Sequence, residues 1–185
     1  SAPLSSSEEL RICILGKFFY YSPAGTQTFF SALTSLLAHG VPIHVYHIGT
    51  AEAVQSLLDT SNFPQNHYHE LGSMPYEQAL SAAQQAHICA IISGGVFGYG
   101  TKAFDYIYLN KPIIAYTPEN SELVELLKDA ENAYVCQTAA QMKAAIEAVI
   151  QGGSYQLTKN LEFRQRFSRE TQNRIYHQLL QKTAG

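Results

Sequence analysis

Between residues 93 and 104 the chain reads SGGVFGYGTKAF, with Gly94, Gly95, Gly98 and Gly100 set between the apolar run HICAIIS and a helix-like stretch. A glycine inside a helix or strand costs about 0.5–1 kcal/mol relative to alanine, so four together mark a loop that turns sharply or lets a ligand approach its backbone. The loop ends in Thr101 and Lys102 at what reads as a helix start, where unpaired N–H groups and the helix dipole favour an anion. Gly16 and Lys17 close an earlier apolar run, RICILG, and supply a second ammonium group. A charge-assisted hydrogen bond contributes roughly 1.5–3 kcal/mol, so two lysines with backbone donors suit a diphosphate. A tight turn without any ligand explains the glycines as well, and the loop alone leaves both readings open. Asp105 lies one turn into the following helix among core-like neighbours. It either complements the helix N-terminus, at about 0.3–1 kcal/mol, or faces the crevice and accepts from ribose hydroxyls.

Other chemistries have less to stand on. GKFFYY after the first strand is not G-x-G-x-x-G, and no Walker A sequence occurs, so neither a nicotinamide nor a flavin site is indicated. His67 and His69 alternate along one strand without a third ligand nearby in sequence, which favours surface or edge histidines over a metal site. His44 and His47 fall on opposite faces of another strand. No Ser-His-Asp or Cys-His arrangement is readable from residue order. The aromatic run from Phe18 to Tyr21 suits stacking on a base or sugar, and suits contact with a second domain equally well.

Six short apolar segments are expected as strands: RICILG (11–16), PIHVYHIG, HYHEL, ICAIIS, KPIIAY and AYVCQ. Between them lie helical patterns. Phe29, Phe30, Leu33, Leu36 and Leu37 share one face that should end at His39 and Gly40, and AEAVQSLLDT follows the second strand. Pro75 is placed for the first turn of MPYEQALSAAQQA, and Thr138 with Gln141 forms a capping box before Met142, Ile146 and Val149. Strands that alternate with helices, several of them continuously apolar, predict a doubly wound, Rossmann-like parallel sheet of about six strands with helices on both faces. In such sheets ligands bind beyond the carboxyl ends of the strands where strand order reverses, which should bring the loops after the first and fourth strands to one crevice.

The 185 residues fit one domain, with residues 1–10 as a flexible lead-in, 11–153 as the Rossmann-like unit and 154–185 as terminal helices. Phe163, Phe167, Ile175 and Leu179 form the thin apolar face of those helices, and the abrupt Ser1 start reads as a boundary cut in a longer chain. The formal net charge of −3 and 15% charged residues draw the protein towards neither nucleic acid nor membrane, and no apolar run is long enough to span a bilayer. Cys13, Cys89 and Cys136 sit singly in apolar runs, as buried thiols do, which points to a reducing cytoplasm.

Several stretches together resemble one family. ELGSMPYEQALSAAQQAHICAIIS, GYGTKAFDYIYLNKPIIAY and SELVELLKDAENAYVCQTAAQMKAAIEAVI look like the C-terminal, donor-binding half of GT-B glycosyltransferases of the family-four, group-one type, in order from RICILGK to RFSRE. The resemblance implies a retaining transfer from a UDP- or GDP-type nucleotide-diphospho-sugar to a saccharide or glycolipid, with no cofactor and no required metal. By position it assigns Gly16, Lys17, Gly100, Thr101 and Lys102 to the diphosphate, Asp105 to the ribose, and Gly72, Ser73, Met74 and Tyr76 to the base. Gly94, Gly95 and Gly98 would let the diphospho-sugar lie against bare backbone. Three departures are visible: Ala24 precedes Gly25 where a lysine is usual, Phe97 replaces an acidic residue eight positions before Asp105, and Asp105 stands where the family has glutamate. The resemblance also implies an absent N-terminal acceptor domain towards which the terminal helices pack, an isolated domain without activity of its own, and peripheral membrane association as an option for the full-length protein in polysaccharide biosynthesis. Two other readings remain. The glycine loop faintly resembles that of nucleoside-monophosphate phosphoribohydrolases, and a non-catalytic nucleotide-binding or interaction module would explain Ala24 and Phe97.

Overall fold

A computed structural model describes residues 9–18, 21–50, 54–98 and 100–152, together with residues 161, 165, 166, 168, 170, 171, 173, 174 and 178. The lead-in up to residue 8, Phe19, Tyr20 and most of the expected terminal helices, with their apolar face, lie outside the described residues.

The elements follow in the order β1 (Leu10–Leu15), α1 (Pro23–Ala38), β2 (Ile43–Ile48), α2 (Gln55–Ser61), β3 (Tyr68–Gly72), α3 (Tyr76–Gln85), β4 (Ile88–Ile92), α4 (Lys102–Tyr108), β5 (Ile113–Tyr116), α5 (Glu122–Leu127), β6 (Ala133–Val135) and α6 (Ala139–Gly152). Every strand pairing is parallel and the order across the sheet is β3-β2-β1-β4-β5-β6. Each expected strand is present. The expected first strand shifts by one residue, because Leu10 is already buried in the sheet while Gly16 turns out of it.

Burial explains the unbroken apolar runs. Along β1, Ile12 and Ile14 pack beneath α1 and α6 with Phe29, Leu33 and Ile146, whereas Cys13 and Leu15 pack on the other face with Ala83, Tyr106 and Leu123. A strand covered on both faces leaves few positions for a polar side chain, and in β1 only Arg11, near its start, is exposed. The three cysteines are free and buried, and burial pushes the Cys13 thiol up to about 12.

The helix ends follow local chemistry. At α1 the Ser22 hydroxyl accepts from the Gly25 N–H at 3.1 Å with Pro23 in the first turn, and Gly40, at φ +84°, leads the chain away after His39. The capping box at α6 is reciprocal: the Gln141 N–H donates to Thr138 Oγ1 at 3.2 Å and the Thr138 N–H to Gln141 Oε1 at 3.1 Å. Pro75 differs from expectation. With ψ at 145° it is the extended residue ahead of α3, so the helix starts one position later at Tyr76.

At the point where strand order reverses, the β1–β4 register covers Ile12–Ile88 and Cys13–Cys89. Further along, the Leu15 N–H donates instead to the hydroxyl of fully buried Tyr106, at 2.8 Å. An unpaired buried N–H would cost about 1–3 kcal/mol, so α4 supplies an acceptor where the sheet opens. Among the described residues no helix is long and apolar enough to cross a membrane.

Candidate functional site

The opening between the strands leads into a cavity of about 610 Å³ at the carboxyl ends of β1 and β4. Its floor is apolar, from Leu15, Ile48, Ile91 and Ala103, and its rim carries the polar groups. Gly16 and Lys17 line one side and Gly95, Gly98, Gly100, Thr101 and Lys102 another, so the two glycine-bearing loops do meet.

The loop after β1 is held from beneath. Gly16, at φ +70°, donates its N–H to Ile48 O at 2.7 Å, and its carbonyl accepts from His47 Nε2 at 2.8 Å. A carbonyl can only accept, so Nε2 carries the proton and Nδ1 accepts from the Tyr68 hydroxyl at 2.7 Å. His47 is fully buried and meets the Phe18 ring edge-on at 4.9 Å. Gly49 completes the support, because a Cβ there would stand 2.9 Å from Gly16 Cα.

The loop after β4 is held from outside. The Glu122 carboxylate accepts from the Gly98 N–H at 2.7 Å, and the Glu122 N–H donates to Val96 O at 2.9 Å. Lys102 reaches across the cavity: its ammonium donates to Lys17 O at 3.1 Å and stands 5.8 Å from the centroid of Tyr21. Because α4 is only seven residues long, the electrostatic weight rests on the two lysines rather than on a helix dipole.

The third wall comes from the chain leaving β3. Ser73, Met74 and Tyr76 line the cavity, and the Tyr76 hydroxyl donates to Asp105 Oδ1 at 2.6 Å. Asp105 is the one carboxylate among the described lining residues.

Eleven of the thirteen sequence candidates therefore surround one space. Gly72 and Gly94 stand behind it. Gly72, at φ +70°, turns the chain and accepts from the Gly49 N–H at 3.0 Å. Gly94 is bare because a Cβ would lie 2.4 Å from Tyr21 O, so this glycine serves the contact between the two loops. Of the aromatic run, Phe18 is core, packed on Phe30 and His47, while Tyr21 lines the cavity with just over half its surface exposed.

His47 and Glu122 are the supports that sequence reasoning misses. The only signal for His47 is a histidine on the buried face of an apolar strand just before a glycine, and Glu122 gives none beyond its place in the first turn of α5. Three other histidines gather elsewhere: His44 Nδ1 and His69 Nε2 share a hydrogen bond of 2.8 Å, and His67, in a short 3-10 turn ahead of β3, stacks on His44. Among the described residues no group of three histidine, cysteine or acidic side chains is arranged to hold a metal ion.

No family model matches the sequence, and no curated protein does. Solved structures match well. HepE of Anabaena in complex with UDP superposes with a TM-score of 0.68 at 14% identity, over 96% of this chain and 50% of that one. A glycosyltransferase from Rickettsia africae gives 0.67 at 15%, over 94% and 48%. Sucrose-phosphate synthase from Thermosynechococcus elongatus gives 0.64 at 16%, over 97% and 47%. The chain thus spans about half the length of these proteins, and its fold is that of one half of a GT-B glycosyltransferase.

Proposed function

We propose that the chain is the donor-binding, C-terminal half of a retaining glycosyltransferase, taking a nucleotide-diphospho-sugar and passing its sugar to a saccharide or glycolipid held by another domain. The observation that carries this reading is the Lys102 ammonium, laid across a cavity at the switch point of the sheet to the Lys17 carbonyl. The likeness of the fold to that of HepE, a structure containing UDP, supports it.

In this reading the diphosphate lies against Gly16, Lys17, Gly100, Thr101 and Lys102, the ribose meets Asp105, and the base enters beside Gly72, Ser73, Met74 and Tyr76. The sugar then extends towards the loop of Gly94, Gly95 and Gly98. As the bond from the anomeric carbon to the diphosphate breaks, negative charge grows on the departing oxygen. The Lys102 ammonium, with Lys17 as the second cation of the lining, stabilises the charge, and the cavity walls hold the reacting atoms in place. Lys102 exchanges the Lys17 carbonyl for a phosphate oxygen on binding. No cofactor takes part.

A second reading is a nucleotide-binding module without turnover. It is favoured by Phe97, 86% exposed at the cavity's lip, and by the lack of any described lining carboxylate besides Asp105.

Calorimetric titration with UDP, GDP, ADP and AMP, with and without magnesium, tests both. Donor binding predicts metal-independent affinity for one diphosphate and a loss of at least about tenfold in Lys102→Ala, the size of one charge-assisted bond. Unchanged affinity in that variant contradicts the phosphate role, and cleavage of AMP to free base establishes a phosphoribohydrolase instead. Diphosphate binding without sugar transfer in the full-length protein supports the second reading.

A further inference from the structure

Outside the cavity, four rings form a column along β2 and β3 on the side of the sheet away from α1. His67 stacks on His44 with ring centres 4.4 Å apart, His44 lies 5.1 Å from His69, and His69 stacks on Tyr46 at 4.7 Å. Two of these rings tie the β3 segment to β2: His67 Nδ1 donates to Ile43 O at 2.7 Å, and His69 Nε2 shares a proton with His44 Nδ1 at 2.8 Å. β3 is an edge strand that pairs with β2 alone. At its carboxyl end Gly72 O accepts from the Gly49 N–H at 3.0 Å, and the chain beyond supplies Ser73, Met74 and Tyr76 to the cavity. The charged groups around the column are few. Glu9 Oε1 accepts from the Tyr46 hydroxyl at 2.6 Å, and Arg11 adjoins His44 in the β1–β2 register, with His87 Nδ1 accepting from the Arg11 N–H at 3.0 Å. α3, on the same side of the sheet, carries one charged residue, Glu77, and Glu70 alternates to the opposite face of β3.

We propose that the column is a proton-operated latch on β3, which holds the third wall of the cavity and releases it when a second proton enters the His44–His69 pair. With both rings neutral, an N–H of one donates into the lone pair of the other. A first proton keeps this bond and makes it charge-assisted. A second proton puts an N–H on each of the two facing nitrogens, so the bond is lost and two cations stand 5.1 Å apart, with His67 4.4 Å from His44 on its other side. The His67 bond survives, because a ring nitrogen that donates to a carbonyl still donates when the ring is charged. Burial and the neighbouring imidazoles lower the His44 pKa while Glu9 opposes them, so release falls below the ordinary histidine value of about 6.5. The hold is complete above that value and is lost as pH falls.

The test is amide hydrogen exchange of the full chain between about pH 7 and 5, expressed as protection factors to remove the intrinsic pH dependence of exchange. Gly49, whose N–H donates to Gly72 O, reports on the edge, and buried Ile113 in β5, whose N–H donates to Asn132 O, reports on the centre of the sheet. In the wild type the protection of Gly49 should fall about fivefold or more on acidification, the size of one lost hydrogen bond. It should also stay at least about tenfold below that of Ile113, since the edge opens while the centre stays shut. His69→Gln keeps both a donor and an acceptor for His44 Nδ1, so protection at pH 7 should hold and the fall should shrink to less than about twofold. His69→Ala should be about fivefold less protected already at pH 7. A flat wild-type profile, an undiminished fall in His69→Gln, full protection in His69→Ala, or Gly49 and Ile113 equally protected each overturn the latch. Its effect on the site rests on the nucleotide reading above: UDP affinity should fall with pH more steeply in the wild type than in His69→Gln, and equal slopes overturn the link to the cavity. Failure of the wild type to bind UDP at any pH overturns the nucleotide reading, while the exchange profiles still decide the latch.

Discussion

Gly16 is held from below by fully buried His47, whereas Gly98 is held from the solvent side by the exposed carboxylate of Glu122. Both residues line the same cavity, but their surroundings differ in kind. The Gly16 end of the loop after β1 rests on the core, through His47, Tyr68, Phe18 and Gly49, although Gly16 and Lys17 are themselves exposed. The loop after β4 is pinned at its tip by polar contacts that water can replace. In the proposed reading the diphosphate touches both loops, and the sugar extends towards the second, which is held only by exposed polar contacts.

That contrast can be broken most forcefully at His47. Replacing it with alanine removes a buried ring and its hydrogen bonds to Gly16 and Tyr68, and should cost about 3 kcal/mol in urea unfolding. A loss below about 0.5 kcal/mol, the level of an ordinary surface change, would show that the first loop does not depend on the core.

Tyr106→Phe is next. It strands the Leu15 N–H at the end of β1 and should cost about 1–3 kcal/mol without changing the fold, as read by the same unfolding curve. An unchanged curve would mean that the opening of the sheet needs no acceptor from α4.

Glu122→Ala sharpens the comparison from the other side. Its bond to Gly98 is exposed, so stability should fall by less than about 1 kcal/mol, while UDP affinity should fall by about threefold as the loop loosens. A stability loss as large as that of His47→Ala would erase the distinction between the loops.

The smallest effect concerns the other face of β2. Burial lowers the pKa of His44, with His67 and His69 adding to the fall and Glu9 opposing it. A histidine with a depressed folded pKa leaves the unfolded chain the stronger proton binder, so its contribution is complete above about pH 6.5 and is lost as pH falls. Glu9, lowered mainly by the Tyr46 hydroxyl, acts in the same direction below its ordinary 4.5, and Arg11 lies in the same group. The melting temperature should therefore decline between about pH 7 and 5.5, and less steeply in His44→Gln. Equal slopes would remove His44 from the account.

The parallel sheet was legible because burial on both faces writes itself into continuous apolar runs such as ICAII, and the strand order agrees with the placement of the two glycine loops together. Local chemistry was legible too, in the Thr138–Gln141 box and in Gly40 after α1. The supports of the site were not. Leu15 meets Tyr106 across 91 positions, Tyr76 meets Asp105 across 29 and Gly98 meets Glu122 across 24, and no periodicity encodes such pairs. Gly94 shows the same limit from another angle: its bareness is visible in sequence, but its reason, the backbone of Tyr21, is visible only in space.

The central claim is that the cavity between the two loops holds a nucleoside diphosphate, and amide chemical shifts of the isotopically labelled chain titrated with UDP address it residue by residue. The account predicts the largest shifts at Gly16, Lys17, Gly98 and Gly100 to Lys102, with smaller ones at Ser73, Met74 and Tyr76. Shifts clustered away from these residues, or none at saturating nucleotide, would contradict it.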